Sequence, residues 1–372
     1  MVKWKTIGEV CECNRGVRVI KKNLSESGLY PVFQNSLKPM GYYCKSNFEA
    51  YTPFVITAGA AGDVGSSKES FWAADDCLCL KCSNIVYNKY VLFFLETKQQ
   101  YFKSQVRKGA IPRLSRKVVE NLQIPIPSLS EQNRIVGILD TFTASIDNLK
   151  HQIEQRRKQY EYYRDQLLDL EGKEGVVETL SFGRDFQLKA RIGWQGLTRK
   201  EYKETGNYQL VTGTDFTTNN RIDFDHCVFV EKERYDQDPY IQLKVGDVLI
   251  TKDGTLGKIA IIDKLEMPAT LNGGVFVVRD LRNLVMPKFL MYYLTSSNFT
   301  SWMKRNHTQG SIQHLTQKLL EKFDIPVLKK EDQKRIVDAL DILTLSIANL
   351  EQQLAQRQKQ YEYYRNKLLT FE

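Results

Sequence analysis

The side chains that could do chemistry are basic, aromatic and thiol groups, and their spacing fits binding better than bond-making. Arg15, Arg18, Lys21 and Lys22 form one basic cluster, and Arg107, Lys108, Arg113, Arg116 and Lys117 a second. Arg191, Arg199, Lys200, Lys252, Lys258, Lys304 and Arg305 stand near expected turns further along. Tyr, Asn, Gln and Trp are interleaved with them, a mixture in which cations meet phosphates and amides meet base edges. Taken singly, each is better read as plain solvated charge; as a set they favour nucleic acid. Cys77, Cys79 and Cys82 with Cys11 and Cys13 could offer thiolates to zinc. Cys77 and Cys79, however, alternate with apolar neighbours and have no equivalent set later, which favours buried structural thiols and no metal site. His151, His226, His307 and His314 have no ligand spacing. Gly254-Thr-Leu-Gly-Lys258 is too short for a phosphate-binding loop and reads as a hairpin turn. No dinucleotide fingerprint is present, nor any Asx-Pro-Pro-aromatic run; Asp238-Pro-Tyr240 lacks the second proline. The missing motifs argue against a fused methyltransferase or nuclease, and no catalytic residue is expected.

The elements that must hold these groups are set by an internal repeat. Residues 131–170 recur at 332–371, with 23 of 40 positions identical after a shift of 201. In the first copy apolar residues fall at Ile135, Leu139, Phe142, Ile146, Leu149, Ile153, Tyr160, Tyr163, Leu167 and Leu170. In the second they fall at Ile336, Leu340, Leu343, Ile347, Leu350, Leu354, Tyr361, Tyr364, Leu368 and Phe371. The alternating steps of four and three predict two long helices with a coiled-coil seam, broken only by Arg156 and Arg357. Neither can bury its stripe alone, so the two are expected to pair rather than to lie separately on their own domains. Tyr160 and Tyr163, like Tyr361 and Tyr364, are placed on the seam, with Tyr162 and Tyr363 outward. The Tyr-Glu-Tyr-Tyr-Arg runs serve either as a tyrosine cap on the helix pair or as a partner-docking surface.

With 372 residues, 42% of them hydrophobic, the chain has room for two or three domains with true cores. No apolar run is long enough to span a bilayer and the start is not that of a signal peptide, so a cytoplasmic location is expected. Seven unevenly spread cysteines do not suggest a disulfide framework. The net charge of +9 divides into +8 over residues 1–130, −2 over 131–171, +4 over 172–330 and −1 over 331–372. The excess positive charge therefore sits in the regions outside the helices, where a polyanion would dock.

In order, residues 4–13 read as one strand, 30–33 as a short strand, 54–65 as a strand with a glycine-rich turn, and 71–82 as a further strand. Residues 86–102 and 115–122 read as helices. The second half repeats the plan: Phe289-Leu-Met-Tyr-Tyr-Leu294 answers Tyr90-Val-Leu-Phe-Phe-Leu95, and residues 310–318 answer 109–117. The outer parts diverge, and residues 30–33 have no clear counterpart beyond 208–211. The fold expected is α/β (α+β): two strand-rich domains at 1–130 and 172–330, each followed by a long helix at 131–171 and 331–372. The helices would form an antiparallel coiled coil with pseudo-twofold symmetry and the domains at opposite ends, a symmetric frame carrying two different readers.

At this point the chain resembles the specificity subunits of type I restriction–modification systems over nearly its whole length. The resemblance rests on Ile124-Pro-Ile-Pro127 with Glu131-Gln-Asn-Arg-Ile-Val-Gly-Ile-Leu-Asp140, and on Ile325-Pro-Val327 with Gln333-Lys-Arg-Ile-Val-Asp-Ala-Leu-Asp341. Ile56-Thr-Ala-Gly-Ala-Ala-Gly62 and Ile250-Thr-Lys-Asp-Gly-Thr-Leu-Gly257 also match. It implies a non-catalytic subunit with two target-recognition domains, each reading part of a bipartite, asymmetric double-stranded DNA site. The helices would set the unread spacing and bind two methylation (M) subunits that methylate adenine from S-adenosylmethionine. Restriction (R) subunits using ATP and Mg could join them, and the chain itself would hold no cofactor. The contrasting reading is a coiled-coil scaffold or adaptor without DNA specificity.

Overall fold

The computed structural model describes residues 2–191, 196–253, 256–306 and 315–371. It divides into two compact units, Met1–His151 with Glu351–Glu372, and Gln152–Leu350. The long helices, Leu129–Leu168 and Lys330–Leu369, are 40 residues each, and each contributes to both units.

In the first unit, Lys3–Thr6 pairs antiparallel with Gln123–Ile126, the segment that feeds the first long helix. A four-stranded antiparallel sheet runs in the order Cys11–Arg15, Cys77–Cys82, Phe54–Ile56, Val64–Gly65. A three-stranded sheet places Tyr30–Phe33 between Tyr42–Tyr43, antiparallel, and Trp72–Ala73, parallel. The helix Asn88–Thr97 carries the run Tyr90 to Leu95, every residue of which is buried. Apolar on all sides, it can only lie inside the unit.

The second unit has the same plan. Val176–Ser181 pairs with Asp324–Leu328. Its four-stranded sheet runs Phe186–Lys189, Val275–Asp280, Val248–Thr251, Ile259–Ile261, and its three-stranded sheet places Gln209–Val211 between Val228–Phe229 and Ala269–Leu271. Gln209–Val211 is therefore the counterpart of Tyr30–Phe33, which sequence similarity alone leaves unclear.

Three expectations are corrected. Residues 4–13 are not one strand: the Thr6 and Glu9 side chains form a capping box that turns Ile7–Val10 into one helical turn before Cys11–Arg15. Residues 71–82 are two strands in different sheets, separated by a turn in which the Cys77 amide donates to the Ala74 carbonyl at 3.0 Å. The third concerns the helix seams. Their positions are buried or half-buried from Ile135 to Tyr160 and from Ile336 to Tyr361, Leu149 and Leu350 included. Beyond that, Leu167, Leu170, Leu368 and Phe371 are again buried or half-buried, but Tyr163 and Tyr364 are 50% and 41% exposed, whereas Arg164 and Arg365 turn inward and Leu168 and Leu369 are buried. The buried stripe shifts and widens there because these turns pack on a globular core as well as along the seam.

Within the first unit the N-terminal half of one long helix meets the C-terminal half of the other. Phe142 stacks on Tyr364 with ring centroids 5.3 Å apart, and the Arg357 guanidinium lies 5.8 Å from the Phe142 ring. The two segments run antiparallel, since Ser145, Asn148 and Leu149 share a cleft with Gln353, Gln356 and Gln360. Pairing and packing on a domain both occur: Ile135, Val136 and Leu139 join the core of the first unit together with Leu369.

A buried glutamine anchors each long helix to its unit. Gln132 is fully buried; its Nε2 donates to the Ile85 and Pro127 carbonyls, each at 3.0 Å, and its Oε1 accepts from the Tyr87 amide at 3.1 Å. Gln333, its repeat equivalent, donates to the Leu284 and Leu328 carbonyls at 2.8 Å and accepts from the Met286 amide at 2.8 Å. Tyr87 and Met286 are the N-cap residues of Asn88–Thr97 and Pro287–Thr295, and neither has a side-chain cap bond of its own. Lys89–Asp140 and Lys288–Asp341, both at 2.7 Å, repeat the link from the same two helices.

Candidate nucleic-acid interface

In each four-stranded sheet an inner hairpin closes on a glycine turn: Phe54–Ile56 returns as Val64–Gly65, and Val248–Thr251 as Ile259–Ile261. The Gly62 amide donates to the Ile56 carbonyl at 2.8 Å, and the Gly257 amide to the Thr251 carbonyl at 2.9 Å. Both glycines have positive φ, +91° and +76°. A Cβ on Gly62 would sit 3.0 Å from the Lys103 amide nitrogen, and one on Gly257 would sit 2.7 Å from the Met303 side chain. The positive φ favours glycine at both, and at Gly62 the neighbouring backbone adds a close approach. These contacts make Ile56 equivalent to Thr251. The two Ile-Thr dipeptides matched in the sequence are thus offset by one residue, which puts like side chains on opposite faces of the strand.

In the first unit two loops converge on this turn. Residues 107 and 113 exchange backbone hydrogen bonds, closing a short loop that exposes Arg107, Lys108 and Arg113. The loop is fixed beside the glycine turn by an Ala58–Arg113 bridge and by the Leu114 amide donating to the Thr57 carbonyl at 2.9 Å. The Ala60 amide in turn donates to the Asn35 carbonyl at 2.9 Å, bringing in Ser36 and Lys38. Lys103 pairs with Asp63 at 2.9 Å and Arg116 with Glu120 at 2.6 Å, so Arg116 is partly engaged. The remaining cations face solvent among amide and hydroxyl side chains.

The other early cluster rests on different elements. Gly16 crosses the Trp72–Ala73 strand so closely that a Cβ would lie 2.2 Å from the Ala73 carbonyl oxygen. The exposed Arg15, Arg18, Lys21 and Lys22 flank that crossing.

In the second unit Lys258 is exposed beside its turn, while Lys252 is half-buried with its ammonium 5.4 Å from the Phe276 ring centroid. Lys304 and Arg305 are exposed at the end of Ser297–Asn306. Arg199 and Lys200 are exposed on the short turn Arg199–Glu201. Residues 254–255 and 307–314, which include the start of the expected hairpin turn and the counterpart of the 109–113 loop, lie outside the described residues.

Arg191 is a correction. Its side chain is buried, donating to the Leu271 carbonyl at 2.9 Å, the Gln237 Oε1 at 2.9 Å and the Arg234 carbonyl at 3.0 Å. Burial, with repulsion from Arg234 second, lowers its proton affinity. It braces the interior and presents nothing to a ligand.

The cysteines also divide. Cys11 and Cys13 pack into the core beneath Asn88–Thr97, with Cys82 against it, whereas Cys77 and Cys79 belong to the cluster of Phe33, Phe54 and Phe71 on the other sheet face. Strand alternation thus separates thiols that lie close in sequence, and among the described residues no group of three metal ligands forms.

A sequence model of the type I restriction modification DNA specificity domain matches residues 1–156 and 195–357. The chain belongs to this family. A type I restriction enzyme specificity subunit of Escherichia coli is 31% identical over 76% of this chain and 70% of its own length. A putative type I specificity subunit of Haemophilus influenzae is 28% identical, covering 100% of this chain and 96% of its own. The crystal structure of an S subunit from M. genitalium superimposes with a TM-score of 0.64 at 20% identity, over 100% of this chain and 97% of that one. A second solved chain, from a type I restriction–modification assembly, gives a TM-score of 0.60 at 16% identity, over 99% of this chain and 96% of that one. These two show the fold. As a specificity-domain protein the chain has a role in DNA recognition, and the scaffold reading without DNA loses its support. Among the described residues no helix is long and apolar enough to cross a membrane.

Proposed function

We propose that each unit reads one half of a bipartite, asymmetric site in double-stranded DNA, through the loops gathered at its glycine turn. The observation that carries this is the duplication itself: one strand order and one closed turn occur twice, at Gly62 and Gly257, while the surrounding loop residues differ. A constant frame with unlike loops suits two different half-sites. Arg107, Lys108 and Arg113 in the first unit, and Lys258, Lys304 and Arg305 in the second, are the best-placed cations for phosphates and base edges.

The target-recognition domains are assigned to 1–130 and 172–330 and the partner-binding helices to 131–171 and 331–372. The exposed, edge-to-face pairs Tyr162–Tyr163 and Tyr363–Tyr364, 5.4 and 5.2 Å between centroids, support docking of two methylation subunits at equivalent places. Adenine methylation from S-adenosylmethionine would be the work of those partners, and ATP- and Mg-dependent restriction that of R subunits, within the cytoplasm.

The test is selection of sites from random duplex DNA by the chain co-expressed with its methylation subunits at moderate salt. Two short fixed blocks around a constant unread gap are expected. Binding without any selected sequence, vanishing steeply as salt rises, would overturn the proposal.

A further inference from the structure

Cys11 and Cys82 stand directly opposite each other on adjacent antiparallel strands, their sulfurs 3.2 Å apart. The Ser83 amide donates to the Val10 carbonyl at 2.9 Å, so the neighbouring pair is hydrogen-bonded and Cys11–Cys82 is a non-hydrogen-bonded pair. Such pairs bring the two Cα atoms to about 4.5 Å, within the range a disulfide spans. Cys11–Arg15 is an edge strand, free to make the small rotation of side chains that bonding requires. Cys11 is buried, while Cys82 is half-buried at the end of its strand, on the same sheet face as Cys11.

We propose that this pair is an oxidation site, closing to an intramolecular disulfide when the protein meets a peroxide. The Cys82 thiolate attacks one peroxide oxygen and the O–O bond breaks, giving a Cys82 sulfenic acid and, with one proton, water. The Cys11 sulfur then attacks the Cys82 sulfur, the S–O bond breaks, and a second water leaves with the Cys11 proton. Two thiols and one hydrogen peroxide become one disulfide and two waters. Cys11 holds its proton tightly, first because it hydrogen-bonds to Cys82 and then because it is buried. Oxidation of Cys82 removes that neighbouring thiol, so the order of steps follows from the geometry. Cys13 faces the same core but opposes Leu80, and Cys79 lies on the other sheet face, so neither competes.

The test treats the full chain with hydrogen peroxide, alkylates it under denaturing conditions and digests it without reductant. A Cys11–Cys82 cross-linked peptide two hydrogens lighter than the separate peptides is expected. It should be accompanied by a dithiothreitol-reversible rise of roughly 5 °C in the unfolding midpoint, because the bond closes a long loop. Cys82→Ser should fold, lose the cross-link and lose the shift. Recovery of Cys11 as a freely alkylated thiol beside a hyperoxidised Cys82, or a dominant cross-link between other cysteines, would overturn the assignment.

Discussion

The Tyr361 hydroxyl donates a 2.6 Å hydrogen bond to the Glu96 carboxylate, across 265 residues of sequence, and Arg365 reaches the same oxygen at 3.4 Å. Burial pushes the Glu96 proton affinity above the ordinary carboxylate value, against the lowering effect of Tyr361 and Arg365. A raised folded pKa stabilises the fold below the unfolded value and loses that contribution as pH rises through the folded one. The unfolding midpoint of the native chain, measured relative to Glu96→Gln, should therefore fall as pH rises above about 4.5. Tyr361→Phe, which leaves the carboxylate without its best donor, should cost about 2 kcal/mol at pH 7. A pH-independent difference between the native chain and the Glu96→Gln variant would remove the carboxylate from this account.

The glutamine anchors make a second prediction. Gln132→Ala leaves two carbonyls and one amide without partners in a dry site, as Gln333→Ala does in the other unit. Each substitution should cost roughly 3 kcal/mol, whereas alanine at the exposed Gln152 should change little. Chemical denaturation distinguishes these outcomes.

Arginine has two jobs here, and they are separable. Arg107→Ala should weaken DNA binding and reduce the slope of log affinity against log salt by about 1. Arg107 contributes only backbone bonds to its loop, so stability should hold. Arg191→Ala should do the reverse, losing several kcal/mol of stability while the salt slope of the protein that remains folded is unchanged. Equal salt slopes for Arg107→Ala and the native chain would take the 107–113 loop out of the interface.

The long helices offer a fourth test. Inserting about one turn into both, after His151 and after Gln352, adds roughly 6 Å to each. If the helices set the gap, the selected half-sites should stay the same while their separation grows by on the order of two base pairs. An unchanged gap would assign spacing to something other than helix length.

Much of this architecture is legible because duplication writes itself into sequence. The seams from Ile135 to Tyr160 and from Ile336 to Tyr361 can be read from periodicity, as can the glycine turns. What escapes is decided by tertiary context. Tyr163 continues a heptad on paper, but the helix there lies against a globular unit and Arg164 takes the inward place. Arg191 reads as a surface cation because burial of an arginine depends on carbonyls that come together only on folding. Gln132 and Gln333 read as polar helix surface. Their identity in both copies, amid exposed positions that vary, is the available signal. The one-residue offset of the Ile-Thr dipeptides is masked by chance similarity, and only strand pairing reveals it.

The first unit is assembled from Met1–His151 and Glu351–Glu372, with the whole of Gln152–Leu350 between them. On a translating ribosome the second unit has all its residues outside the exit tunnel before the first has its closing segment. Both of its helix segments are made before residue 351, whereas Phe93 and Glu96 must wait for Tyr361. The newborn N-terminal domain therefore spends the synthesis of some two hundred residues with part of its core unroofed, a long exposure to chaperones and proteases. Slow codons just upstream of residue 351 would lengthen that interval, and a helper that binds nascent apolar surface would find its substrate here.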